Sequence, residues 1–266
     1  KYGIPVYVNQ GGIFYHKVEV GDWRKGVMRE PPKTWTTYKY RNEVGQYVRS
    51  FNVPANWKKR RVFINFDGVD SFFYLWINGK YVGFSKNSRS LAQFDITKYL
   101  VKGANRVAVE VYRCSDGSFL ETQDMFRMAG IIRSVYLTAT PEIHVGDVVA
   151  IPDLDSHYIN GALNVKLSVS NQSAKDAKRY SMHCSLYPVE LYGDGTSDAP
   201  VAKAAVEVGD ITKQGKAQCE MQLTVPNVKP WSAEAPWRYV LVGELKDKKG
   251  RTVETFSTYT GFRKVE

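Results

Sequence analysis

The chain is short of nearly everything that marks a familiar catalytic motif. Its 266 residues hold 3 cysteines and 4 histidines. Cys114, Cys184 and Cys219 form no Cys-x-x-Cys pair, which excludes a site built on that motif, and the odd count leaves at least one thiol free. Buried reduced thiols are therefore expected, although Cys184 and Cys219 both lie on strand-like runs and could face one another. His16, His144, His157 and His183 are scattered without metal-ligand spacing and read as ordinary histidines. No Gly-x-Ser-x-Gly, phosphate-loop or zinc pattern occurs. No apolar run approaches the roughly 18 residues of a membrane span, and the start KYGIPVYVNQ carries no signal-like segment, so no membrane partner is expected. Without an initiator Met, that abrupt start reads as a piece of a longer protein, which leaves the compartment unknown.

Aromatic residues are plentiful: 17 Tyr, 12 Phe and 6 Trp, 13% of the chain, beside 43% hydrophobic residues overall. Such side chains pack well on a pleated surface, so the composition suits a β-rich globular protein, and the length points to two domains. The formal charge of +10 would attract an anionic partner. Its basic residues, however, come in short clusters at turns, Lys58 to Arg61 and Lys246 to Arg251, with no accompanying motif, so no nucleic-acid partner is expected.

Strand signals dominate from Gly45 onward. In SFFYLWINGKYVGFS, Phe72, Tyr74 and Trp76 fall on one face and Phe73, Leu75 and Ile77 on the other, so the strand is expected to be sandwiched. Asn78-Gly79 supplies the residues of a type I′ hairpin. The run RVAVEVYR alternates again after Gly103, and around Pro141 the pattern resets. GALNVKLSVSN, RYSMHCSLYPV, AKAAVEVG, AQCEMQLTV, WRYVLVGEL and RTVETFSTY then follow with Asn, Gly and Pro between them, the spacing of a second all-β sandwich. The pattern predicts two domains, 1–141 and 142–266, meeting near residues 140 to 145.

One segment fits no regular element. SDGSFLETQDMFRMAGIIRSVYL, from Ser115 to Leu137, crowds Met125, Phe126 and Met128 between acids, amides and glycines. On residue chemistry alone Glu121 and Asp124 read as turn residues, with Asp124 able to cap a helical turn, and Asn9 reads as a turn former in YVNQGG. Two aromatic-rich sandwiches without a catalytic constellation fit a carbohydrate-binding module with platforms such as Trp76 or Trp231. They equally fit an adhesion-type scaffold.

The segment QDMFRMAGIIRSVYL, with its Gly-Ile-x-Arg-x-Val core, resembles the end of the jelly-roll domain of glycoside hydrolase family 2, and Gln123-Asp124-Met125 resembles its β-galactosidases in particular. FDGVDSFFYLWINGKYVGFSKNSRSLAQFDIT, ANRVAVEVYRCSDGSFLE, KPWSAEAPWRYVLVGEL and TGFRKVE are similar to the same family in order and spacing. The resemblance implies a jelly-roll (galactose-binding-like) β-sandwich, its first strands absent, followed by an immunoglobulin-like β-sandwich. It implies a parent that is a retaining hydrolase of galactosides and a homo-oligomer, whose catalytic (β/α)₈ barrel lies outside this chain. It further implies that Asp124 binds a sugar hydroxyl and ligates a sodium ion, that Asn9 binds the same sugar, and that a magnesium ion would belong to the absent barrel. No catalytic residue falls within the chain on this reading, and the residues after Asn9 depart from the family's proline-rich stretch. Met125, Phe126 and Met128 are expected to be unusually exposed, because the barrel would cover them.

Overall fold

The computed structural model describes residues 6–7, 44–119, 126–127 and 129–265. They divide between Ala139 and Thr140 into two compact units, and both are built from β-strands. The sequence expectation of two β-sandwiches holds.

In the first unit, strands β2 (Val44–Asn52), β5 (Phe72–Ile77), β6 (Lys80–Ser85) and β8 (Ala104–Tyr112) form one sheet in the order β2-β8-β5-β6. Strands β3 (Arg61–Phe66), β7 (Ala92–Asp95) and β11 (Val135–Thr140) form the facing sheet in the order β11-β3-β7. Apart from the β5–β6 hairpin, the long strands alternate between the two sheets along the chain, as in a jelly roll. Between them, in chain order, lie three two-residue strands besides β1 (Val6–Tyr7): β4 (Val69–Asp70), β9 (Phe126–Arg127) and β10 (Gly130–Ile131).

Alternation decides which residues enter the core. Val62, Ile64 and Phe66 on β3 meet Phe73, Leu75 and Ile77 on β5 and Val109 and Val111 on β8, and all are buried. The Phe66 and Phe73 rings lie 4.8 Å apart. Asn78 and Gly79 take φ of 51° and 77°, the left-handed values that let β5 turn directly into β6. Asn65, on the outer side of β3, is buried but satisfied: its amide donates to Thr138 Oγ1 at 3.0 Å and its oxygen accepts from Gln93 at 2.7 Å. Between the edge strands β2 and β11 the sheets part over a groove of about 840 Å³ lined by Tyr47, Phe51, Trp57, Phe66 and Tyr136.

On the outer face of β5, Phe72, Tyr74 and Trp76 are half-buried, and among the described residues neighbouring aromatic rings cover them.

The second unit is a three-on-four sandwich. Strands β12 (Ile143–Leu154), β13 (Gly161–Asn171) and β16 (Lys216–Val225) pair in the order β12-β13-β16. Strands β14 (Tyr180–Pro188), β15 (Ala202–Val208), β17 (Tyr239–Lys246) and β18 (Thr252–Thr260) pair in the order β15-β14-β17-β18. Its core gathers Leu163, Val165, Leu167, Met182, Leu186, Leu223 and Leu241. Cys184 and Cys219 are buried in that core, on strands of opposite sheets, and both are free thiols. Burial, with the neighbouring Cys219, pushes the Cys184 thiol up to about 12. Phe262 is fully buried and packs edge-on to Tyr239 at 5.2 Å, which ties the residues after β18 into this core.

Candidate functional site

Strand β8 leads out of the first core into the segment that periodicity cannot parse. Its exit is held by polar side chains. The Ser71 backbone N–H donates to the Tyr112 carbonyl at 3.2 Å, and the Ser71 and Ser115 hydroxyls share a hydrogen bond of 2.5 Å. Lys86 reaches across to Asp116 at 2.7 Å and holds that exposed carboxyl below the usual aspartate range. The carboxylate also accepts the Gly117 N–H at 2.9 Å, at the start of a short 3₁₀ segment, Asp116–Phe119.

The far end of the segment is held by β4. Strand β10 pairs antiparallel with it, Gly130 opposite Asp70 and Ile131 opposite Val69. Gly130 has φ of +105°, a backbone that L side chains rarely adopt. Asp70 is buried and lies 3.5 Å from the Arg89 guanidinium, and Ser88, also buried, donates to it at 3.5 Å. Arg133, just past β10, donates to the Arg89 carbonyl at 3.1 Å. A buried charge is tolerated where an opposite charge stands beside it, and the Asp70–Arg89 ion pair with the Arg133 contact links β4, the Ser88-Arg89 turn and the β10 exit.

A second pairing lies nearer the expected ligands. Strand β1 runs antiparallel to β9, with Val6 opposite Arg127 and Tyr7 opposite Phe126. Asn9 and Asp124 themselves, with Met125 and Met128, lie outside the described residues, and of Phe126 only the backbone is described. Among the described residues no three His, Cys, Asp or Glu side chains gather as a metal site. What the described residues build is the support at both ends of the segment, and the members of that support, Asp70, Ser71, Ser88 and Arg89, escaped the sequence reading. The available signal was Asp70 itself, a charge inside the apolar run GVDSFFYL.

The two tryptophans considered as sugar platforms are differently placed. Trp231 is half-buried, bonds through its backbone to Phe262 at 2.8 Å and carries Arg263 over its ring at 5.3 Å. Trp76 sits in the aromatic cluster on the outer face of β5, tilted 53° from Tyr74.

The model of glycosyl hydrolases family 2, sugar binding domain, matches residues 30–141, and that of glycosyl hydrolases family 2 matches residues 143–263. The chain belongs to glycosyl hydrolase family 2. It is 39% identical over 244 residues to a β-galactosidase of Priestia megaterium, covering 92% of this chain and 22% of that protein. A β-galactosidase of Clostridium acetobutylicum is 35% identical over 236 residues, covering 89% of this chain and 24% of its own. The chain thus spans about a fifth of the length of the curated relatives it matches. Among solved structures, a β-glucuronidase from glycoside hydrolase family 2 superposes with a TM-score of 0.71 at 21% identity, covering 84% of this chain and 24% of that one. A family 2 member from Bacteroides cellulosilyticus superposes with a TM-score of 0.69 at 19% identity, over 83% and 28% of the two chains. These structural likenesses bear on the fold alone.

Proposed function

We propose that this chain is the non-catalytic front of a β-galactosidase-like retaining glycoside hydrolase, and that it supplies a substrate- and sodium-contacting loop to a catalytic barrel elsewhere in the polypeptide. The observation that carries the reading is the antiparallel pairing of β1 with β9. In sequence Asn9 follows Tyr7 by two residues and Asp124 precedes Phe126 by two, and Tyr7 and Phe126 are partners, so the two candidate ligands belong to segments that meet in one pairing, which supports a reading in which both serve one sugar. The amide of Asn9 both donates and accepts, whereas the ionised carboxylate of Asp124 only accepts, and a hydroxyl pair on a galactose ring satisfies the two together.

An ionised carboxylate is also a hard oxygen ligand of the kind a sodium ion takes. Asp124 fits as one such ligand, and the rest would come from outside the described residues. When bound, the ion would offer a positive centre for sugar oxygens. Asp124 would hold its charge beside the sugar, and the braces at Ser71–Ser115 and Asp70–Arg89 would hold the two ends of its loop. The glutamates that carry out retaining hydrolysis belong to the barrel, so residues 1–266 alone are expected not to turn over an aryl galactoside.

A double-mutant cycle in the full-length enzyme tests the shared site. Asn9→Ala and Asp124→Ala are each expected to lower kcat/KM for an aryl galactoside, and the double variant is expected to lose less than the product of the two single losses, because both act on one sugar. Strictly multiplicative losses would place the residues at separate sites.

A further inference from the structure

Both ends of the segment 115–130 are tied to two consecutive residues. Gly130 lies opposite Asp70 in the β4–β10 pairing, and Ser71, the next residue, donates its N–H to the Tyr112 carbonyl at 3.2 Å and shares a hydroxyl hydrogen bond of 2.5 Å with Ser115. Asp70 and Ser71 thus form the base of the loop. Beyond Gly130 the chain stays on the same stretch: the Ile132 N–H donates to the Gly68 carbonyl, and the Asp67 N–H to the Ser134 carbonyl, each at 3.1 Å.

Arg89 reaches this base by two routes. Its guanidinium stands 3.5 Å from the Asp70 carboxylate, and its carbonyl accepts from the Arg133 side chain at 3.1 Å. The Arg133 stem in turn lies over Gly68, where an added Cβ would stand 3.1 Å from its Cδ. One residue therefore connects the strand under the loop to the strand by which the loop returns. Burial raises the stakes of that connection. Asp70 is 4% exposed, and Nε and Nη2 of Arg89 are buried and donate no hydrogen bond among the described residues, so the Asp70 carboxylate is the counter-charge beside them. Removing one partner of such a pair leaves an uncompensated buried charge, and the strand that carries it would shift.

We infer that Arg89 is a positioning residue for the hydrolase: through Asp70 and Arg133 it holds the base of the segment 115–130, and so sets where Asp124 stands toward the sugar. The inference rests on the proposed function, because it needs Asp124 to meet the sugar. It gives Arg89 no contact with substrate. Misplacing a group that orients substrate by about 1 Å can cost on the order of a hundredfold in rate, so a shifted base would be felt in turnover and not only in stability.

The test uses the full-length enzyme and an aryl galactoside. Arg89→Gln is expected to lower kcat/KM per folded molecule by about tenfold or more. Arg89→Lys, which keeps the charge but not the planar fork, is expected to recover part of that loss. In an Asp124→Ala background Arg89→Gln is expected to change kcat/KM by less than about twofold, because its effect passes through Asp124, while it lowers the Tm equally in both backgrounds. Wild-type kcat/KM per folded molecule in Arg89→Gln would overturn the inference. So would an equal fold-loss in the two backgrounds, which would mean that Arg89 acts elsewhere. Should Arg89→Gln fail to fold, Arg133→Gln, which removes the bond to the Arg89 carbonyl, makes the same comparison with the same two overturning results. An Asp124→Ala enzyme with wild-type kcat/KM would sink the proposed function and this inference together, whereas loss in Asp124→Ala with none in Arg89→Gln would sink this inference alone.

Discussion

Single residues brace the loop, and their contributions separate by chemistry. Gly130 combines φ of +105° with a position where an added Cβ would stand 2.8 Å from the Tyr47 hydroxyl. The Tyr47 ring can give way, but the backbone angle cannot, so Gly130→Ala is expected to cost about 1–3 kcal/mol of stability. An unchanged Tm would show that the β4–β10 pairing tolerates another backbone path. Asp95 offers a pH test elsewhere in the same unit. Burial alone would raise its pKa, but hydrogen bonds from Thr97 and the Arg61 guanidinium outweigh that and hold it below the ordinary 3.8. A carboxyl whose folded pKa is depressed adds stability above the unfolded value and loses it as pH falls through the folded one. Wild type is therefore expected to melt above Asp95→Asn at pH 7, with the gap closing below about pH 3.9. A gap that persisted in strong acid would mean that shape, not charge, holds Asp95.

At the level of elements, the sequence reading succeeded where a period had room to repeat. Strand β5 with its Asn78-Gly79 turn is legible, as are β8 and the runs that became β13 to β18, because each carries at least three alternations or a turn dipeptide with one geometry. The 12-residue β12 was not read as a strand. Gly146 interrupts it where the register shifts between Val145 and Asp147, and Pro152 sits inside it, which is permitted because β12 is an edge strand. The two-residue strands β4, β9 and β10 have no period to detect, and they pair with distant chain: Gly130 lies 60 residues beyond Asp70, and Phe126 lies 119 beyond Tyr7. For the same reason Asn9 and Asp124 could be singled out by resemblance but not by pattern. The two faces of the sheet β2-β8-β5-β6 make a direct comparison. Phe73→Ala removes a ring that is 1% exposed from the core and is expected to cost about 3–5 kcal/mol. Tyr81→Ser, on the outer face, is expected to stay within about 1 kcal/mol. Similar losses from both in residues 1–266 would show that the outer cluster is a second core.

For the whole molecule, two sandwiches with separate cores follow one another along a chain that accounts for about a fifth of its curated relatives. On the proposed reading the chain acts through what it presents, a braced loop, and its effect appears only in the complete enzyme. The most direct test is Asp124→Asn in that enzyme, with kcat/KM measured across a sodium titration beside the Tm. The substitution keeps the shape of the side chain and removes its charge. Loss of a turn or cap would cost about a kilocalorie or two of stability. Loss of a sugar and sodium ligand is expected to lower kcat/KM about a hundredfold or more and to flatten its dependence on sodium, while the Tm moves little. A variant that melts early, yet keeps wild-type kcat/KM per folded molecule and the wild-type sodium response, would reduce Asp124 to scaffolding and contradict the account.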